Sequence, residues 1–177
     1  MQTLSFESKF GAVRILMRDD CAPKTCRYFS DLIENGAYAK ASIFRIVTTS
    51  GIQPSADSEI DVLQAGPAQQ FSGPRHITEH ESTAATGLRH RKWTVSAARF
   101  DLGELYGSFF ICLRDEPALD FGGSRQPDGQ GFAAFGEVID GFESLERIFM
   151  QAEASDLLSN QIPISDVSVK HNNESDW

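Results

Sequence analysis

Apolar residues recur along this chain in two rhythms, and each change of rhythm marks an element. In "AVRILM" (12–17), Val13, Ile15 and Met17 share one face with Arg14 between them, the alternation of a half-buried strand. "LSF" (4–6) precedes it across "ESKFG", so a glycine-bearing turn joins the two runs into a hairpin. The period then lengthens. Ala22, Cys26, Phe29 and Ile33 fall at helical spacing in "CAPKTCRYFSDLIENG" (21–36), where Pro23 suits a first turn and Gly36 the residue past the end. Apolar runs at 42–47, 60–65, 93–98, 108–113, 132–139 and 165–170 predict further strands. A second helix is predicted over 142–150, with Phe142, Leu145, Ile148 and Phe149 inward.

Eight short strands and two helices predict a mainly β fold, a barrel or sandwich closed by helices, because a parallel sheet would need a helix between successive strands. The connections 48–59 and 66–92 are long for a compact domain, which marks them as functional or unstructured.

A length of 177 residues with 41% apolar content fits one domain, 1–177, that buries a real core. Its net charge of −9, from 25 acidic against 16 basic side chains, argues against nucleic-acid and anionic-membrane partners, which need excess Lys and Arg. The basic run "RHRK" (89–92) therefore reads as a solvated turn. No run approaches the length of a membrane span and no export leader opens the chain, so a cytoplasmic protein is expected, or a periplasmic one if a leader has been removed. Three cysteines do not build a disulfide scaffold, and nothing near Cys21 and Cys26 completes a metal site.

Candidate chemistry narrows quickly. "HITEHE" (76–81) offers His76 and His80, but it lies among helix breakers and β-branched residues rather than on a helix face that would pair zinc ligands. No "GxSxG" nucleophile turn occurs. "GGSRQPDGQGFAAFG" (122–136) looks like a phosphate loop, yet its glycines lead into an alternating strand instead of a helix N-terminus, and the lysine and hydroxyl of a P-loop are missing. It reads as a hairpin-like connection. Arg45, inside the apolar "SIFRIV", must reach solvent, pair with a carboxylate or line a concave surface, because a lone buried guanidinium costs several kcal/mol, on the order of any unpaired buried ion.

In order along about nine tenths of the chain, these segments resemble the cyclophilins, peptidyl-prolyl cis–trans isomerases, and in particular their bacterial branch. "APKTCRYFSDLIENGAY" resembles the first helix and "SIFRIV" the strand carrying the catalytic arginine. "IDVLQAG" is similar to the strand ending in "IQGG", and "HESTAATGLRHRKWTVSAAR" to the approach to "GTVSMAR". "SFFI", "PALDFGGSRQPDGQGFAAFGEVIDGFESLERI" and "IPISDVSV" complete the match.

The resemblance implies a closed eight-stranded antiparallel β-barrel capped by two helices, no cofactor or metal, a monomer, and proline-containing polypeptides as partners. Arg45 matches the catalytic arginine and Gln64 the glutamine that binds the substrate backbone. Phe110 and Leu119 match walls of the proline pocket, Val62 replaces its methionine, and Ala98 matches an alanine on the substrate chain. Phe132 stands for a histidine at the rim, Asp61 for a pocket phenylalanine and Ala118 for a tryptophan, the last implying weak cyclosporin binding. Ser108, Ala65, Glu137 and Trp93 also depart, replacing a glutamine, a glycine, a basic residue and the glycine that opens the "GTVSMAR" strand. The function implied is acceleration of rotation about Xaa-Pro bonds, which assists protein folding. The departures define an alternative, a proline-peptide-binding or chaperone module with weak or no catalysis.

Overall fold

The computed structural model describes residues 1–49, 59–68 and 76–171. Much of the two long connections, 50–58 and 69–75, lies outside the described residues. The predicted hairpin is β1 (Gln2–Ser8) and β2 (Gly11–Met17), paired in unbroken register from Gln2 opposite Met17 to Ser8 opposite Gly11. After α1 (Pro23–Glu34) come β3 (Ser42–Val47), β4 (Val62–Gly66), the short β5 (His76–Ile77) and a single helical turn, α2 (Thr83–Thr86). Then follow β6 (Thr94–Arg99), β7 (Glu104–Cys112), a 3-10 turn at Pro117–Leu119, β8 (Ala133–Asp140) and α3 (Phe142–Phe149). β9 (Leu157–Pro163) and β10 (Ser165–His171) end the described chain.

The fold is mainly β, a curled antiparallel sheet ordered β10-β1-β2-β8-β6-β7-β4-β3-β9, with β5 added to β7. The two ends of that order, β9 and β10, are consecutive in the chain and separated only by Ile164, whose N–H donates to the Ala41 carbonyl at 3.0 Å. One bent segment thus spans both edges of the curl. Counted once, with β1, β2, β8, β6, β7, β4 and β3, it gives the expected eight strands; β5 and the break at Ile164 raise the described total to ten, and α2 makes three helices.

The larger core fills the curl beneath α1 and α3. Phe29 of α1 stacks on Phe135 of β8 at 4.5 Å and meets Phe109 of β7 edge-on at 6.1 Å. α1 opens without a side-chain cap of its own; Glu81 supplies one from "HITEHE", accepting from the N–H groups of Lys24 (3.1 Å) and Thr25 (2.8 Å) and from the Thr25 hydroxyl (2.7 Å). In the same stretch His76 stacks on Tyr28 and His80 bonds the Gln130 carbonyl. In α3, Leu145 and Ile148 are buried and Phe149 packs partly, but Phe142, expected inward, is 39% exposed and rests against Trp93.

A second, smaller apolar cluster of Val47, Ile60, Val62, Ala98, Phe110, Cys112, Leu119 and Phe132 lies on the other face of the sheet. Alternation along β7 sends Phe109 and Ile111 into the main core and Phe110 and Cys112 into this cluster. A strand covered on both faces reads as an unbroken apolar run, which is why "SFFIC" shows no polar alternation.

Candidate active site

Strand register builds the site. Arg45 lies opposite Gln64, and Gln64 opposite Phe110, while the next row sets Val47 beside Val62 and Val62 beside Cys112. Directly paired residues share a face, so Arg45, Gln64 and Phe110 stand side by side. For Arg45 this depends on an irregularity. Between Ile43 and Arg45 the register of β3 slips against both β4 and β9, leaving Phe44 as the extra residue. Without that bulge Arg45 would share the face of Ile43, which is in the main core; with it, Arg45 points the same way as Val47.

The result is a cavity of about 150 Å³ around which the structure gathers Arg45, Val62, Gln64, Ala98, Phe110, Leu119 and Phe132. Arg45 is one-third exposed, and its Nη2 donates to Asp156 at 3.1 Å while Nη1 makes a long contact of 3.5 Å to the Gln64 side-chain oxygen. Gln64 in turn donates through Nε2 to the Tyr106 hydroxyl at 2.8 Å. Burial raises the Tyr106 phenol above its ordinary range, although the Gln64 bond and the charge of Arg45 oppose the rise. The polar edge of the cavity is therefore a connected line of Asp156, Arg45, Gln64 and Tyr106.

The apolar wall is equally constrained. Phe110 meets Phe132 edge-on at 5.3 Å, and the Phe132 N–H donates to the Leu119 carbonyl at 3.0 Å. Phe132 is 9% exposed, so it is part of the wall rather than of the rim. Gly131 precedes it at φ +65, where a Cβ would lie 2.5 Å from the Leu119 oxygen; only glycine fits. Arg99, almost fully buried, fixes that loop by donating to the Gly131 carbonyl and to Asp128, each at 2.8 Å, with its guanidinium 5.4 Å over the Phe132 ring. The glycine-rich segment 122–136 contributes Arg125 and Gln126 to the lining as well as Phe132.

Beneath the wall, the buried His90 ring meets Asp120 through Nδ1 at 2.8 Å and the Ser96 hydroxyl through Nε2 at 2.9 Å. This has the composition of a hydrolase triad, but Ser96 is fully buried and offers no nucleophile to solvent. Burial pushes the Asp120 carboxyl up, but the hydrogen bonds from the His90 ring and backbone outweigh it and hold the group below its usual value.

The departures are located as follows. Asp61 is not in the cavity wall; its carboxylate accepts from the Thr49 N–H (2.7 Å) and hydroxyl (3.0 Å) and lies 3.5 Å from Arg114. Ala118 also stands outside the lining. Ala65 is buried in β4, Glu137 is exposed on β8, and the Ser108 hydroxyl is buried with no hydrogen-bond partner among the described residues. Trp93 has φ +75, a left-handed backbone that glycine adopts without strain. Reasoning from the sequence missed Asp156, Tyr106, Arg99 and His90. Arg99 adjoined the selected Ala98 within "VSAAR", whereas Asp156 carried no local signal.

A family model described as cyclophilin type peptidyl-prolyl cis-trans isomerase/CLD matches residues 3–173. The chain belongs to that family. Among curated relatives, this cyclophilin-type chain is 25% identical over 171 residues to peptidyl-prolyl cis-trans isomerase cyp18 of Streptomyces antibioticus, covering 96% of each. It is also 25% identical over 168 residues to peptidyl-prolyl cis-trans isomerase B of Escherichia coli K12, covering 94% of this chain and 96% of the relative. A crystal structure of a Cryptosporidium parvum cyclophilin type peptidyl-prolyl cis-trans isomerase in the presence of the dipeptide Ala-Pro superposes with a TM-score of 0.73. That match has 22% identity over 96% of this chain and 99% of the other, and it establishes the likeness of fold.

Proposed function

We propose that this cyclophilin-type chain is a peptidyl-prolyl cis–trans isomerase that turns Xaa-Pro bonds of polypeptides in the cavity beside Arg45. The observation that carries this reading is a guanidinium tethered by Asp156 at the edge of an apolar pocket walled by Phe110, Leu119 and Phe132. Family membership and the naming of both curated relatives as isomerases support it.

Amide resonance sets a rotational barrier of about 18–20 kcal/mol, and uncatalysed exchange at proline takes tens of seconds or more. In the twisted transition state resonance is lost and the proline nitrogen regains a lone pair. An Arg45 N–H donates to that lone pair, which the planar ground state delocalises, so the interaction appears mainly at the top of the barrier. Asp156 and Gln64 engage one N–H each, leaving other donors of the fork for substrate. The apolar walls hold the ring, and Gln64 with the strand backbone holds the flanking chain so that one half turns against the other.

Shortening exchange from tens of seconds to milliseconds is about four decades, or roughly 5.5 kcal/mol. A single charged hydrogen bond contributes roughly 1.5–3 kcal/mol, so pocket and anchoring supply the rest. Asp61 does not oppose this chemistry, because its carboxylate is turned to Thr49 and away from the pocket.

The test is NMR exchange between cis and trans forms of an Ala-Pro peptide. Wild type accelerates exchange and Arg45→Ala loses most of the acceleration; exchange no faster than in buffer, with peptide shifts still mapping to Phe110, would establish a binding module instead. Weak cyclosporin binding belongs to the same reading, since Ala118 brings no indole.

A further inference from the structure

In a chain of net charge −9, one concavity is lined by four cations, Arg18, Arg89, Arg91 and Lys92, against a single carboxylate, Glu137. It has a volume of about 410 Å³ and shares no lining residue with the Arg45 cavity. Two of the cations are already neutralised: Arg18 pairs with Asp20 at 2.8 Å and lies 3.9 Å from Glu137, and Lys92 lies 3.6 Å from Glu146. Arg89 and Arg91 are exposed; the charge of Arg89 is felt by the Asp120 carboxylate, but neither arginine is in a close ion pair of the kind that Arg18 makes with Asp20. The cluster is therefore more than a turn solvated for solubility, because its charge is held beside a shaped apolar surface.

That surface is Trp93 against Phe142, ring centroids 5.2 Å apart, with Lys92 Nζ 4.6 Å above the indole. Trp93 sits at φ +75, where glycine would be unstrained and an indole-bearing residue is rarely found. Its backbone is over-determined, the N–H donating to the Cys112 carbonyl at 2.7 Å and the carbonyl accepting from Val138 at 3.0 Å. A large aromatic side chain kept in a glycine conformation, packed on the main core by part of its surface and exposed by the rest beside Arg89 and Arg91, sets apolar area and positive charge side by side.

We propose that this groove docks an acidic segment of another polypeptide, its carboxylates meeting Arg89 and Arg91 and an apolar side chain lying on Trp93 and Phe142. Arginine forks match carboxylates, and aromatic anchors beside them are the composition of binding hot spots. Nucleic acid offers anions too, but a long polyanion meets the repulsion of the whole acidic chain, whereas a short acidic segment can be confined to the groove. The docking site is independent of the Arg45 cavity, so a partner can be held while proline turnover proceeds.

The test uses the full chain and NMR of the Trp93 indole N–H, distinguished from Trp177 by a Trp177→Phe variant. The probes are a short peptide of alternating glutamate and leucine, its lysine–leucine counterpart, and a short single-stranded DNA. The glutamate peptide is expected to shift the Trp93 signal saturably, with affinity falling as salt rises. Arg89→Glu with Arg91→Glu weakens it roughly tenfold or more, and the milder Arg89→Gln with Arg91→Gln weakens it in the same direction, while Ala-Pro exchange keeps its wild-type rate. The proposal is overturned by no saturable shift, by equal binding of the lysine peptide, by tighter binding of the DNA, or by unweakened binding in either variant. A parallel loss of Ala-Pro exchange would overturn the independence of the two sites.

Discussion

The imidazole of His90 lies nearly parallel to the ring of Phe110, with centroids 5.9 Å apart and planes 16° from each other. Because the same imidazole also bonds Asp120 and Ser96, it joins the 3-10 turn carrying Leu119 to the strand carrying Phe110. Two walls of the Arg45 cavity are thus set by one buried polar side chain.

Replacing His90 by Phe keeps a ring under Phe110 but removes both side-chain hydrogen bonds. The Asp120 carboxylate and Ser96 hydroxyl are left without the ring, a loss of about 2–3 kcal/mol for buried polar groups stripped of partners. Urea unfolding is expected to show that loss, and a change below about half a kcal/mol would mean that the network is not stabilising.

Acid should weaken the fold through Asp120. Its value in the folded chain is below the ordinary 3.8, so its stabilising contribution is present above the ordinary carboxylate range and is lost as pH falls through the depressed value. Asp20 adds to the same limb, its carboxyl held low mainly by hydrogen bonds from Arg18. Melting temperature is therefore expected to drop steeply below about pH 4. Asp120→Asn should melt lower at neutral pH and show a flatter, though not level, acid limb.

Asp156 tethers the guanidinium proposed to act on the proline nitrogen. The pair is about one-third exposed, so Asp156→Asn should cost less than about 1 kcal/mol of stability. Its effect on turnover is larger, because a freed arginine must be ordered in each cycle; kcat is expected to fall roughly tenfold with KM nearly unchanged. Faster turnover would show instead that the carboxylate competes with substrate for Arg45.

Ser108 buries a hydroxyl with no partner among the described residues. Ser108→Ala removes a desolvated polar atom without opening a large void, and thermal melting should show a gain of roughly 0.5–1 kcal/mol. A loss of stability would mean that the hydroxyl is satisfied in solution.

The sequence was most legible where one face of an element is buried. β2 and α1 announced themselves by alternation and by the stripe Ala22, Cys26, Phe29 and Ile33. β9 was not legible, because only Leu158 and Ile162 of "LLSNQIP" turn inward while the residues between them are exposed. α2 is a single turn capped by Ser82, too short for any period to show. The seven residues chosen for the site do line one cavity, but they came from ordered likeness to a family, not from periodicity. Asp156 and Tyr106 were invisible, since each enters through side-chain contacts across strands far apart in the chain. Asp61 shows the reverse: its position matched a pocket residue, yet local hydrogen bonds to Thr49 turned it elsewhere.

The extra residue at Phe44 makes the site depend on strand register as well as on chemistry. Straightening β3 without changing its residue count would leave the chemical identity of Arg45, Gln64 and Phe110 untouched, yet turn Arg45 to the face of Ile43, whereas deleting Phe44 itself would restore simple alternation with Arg45 still out beside Val47. A codon lost at position 44 would therefore spare the direction of the arginine, whereas a change that forced the strand straight at full length would bury it in the barrel.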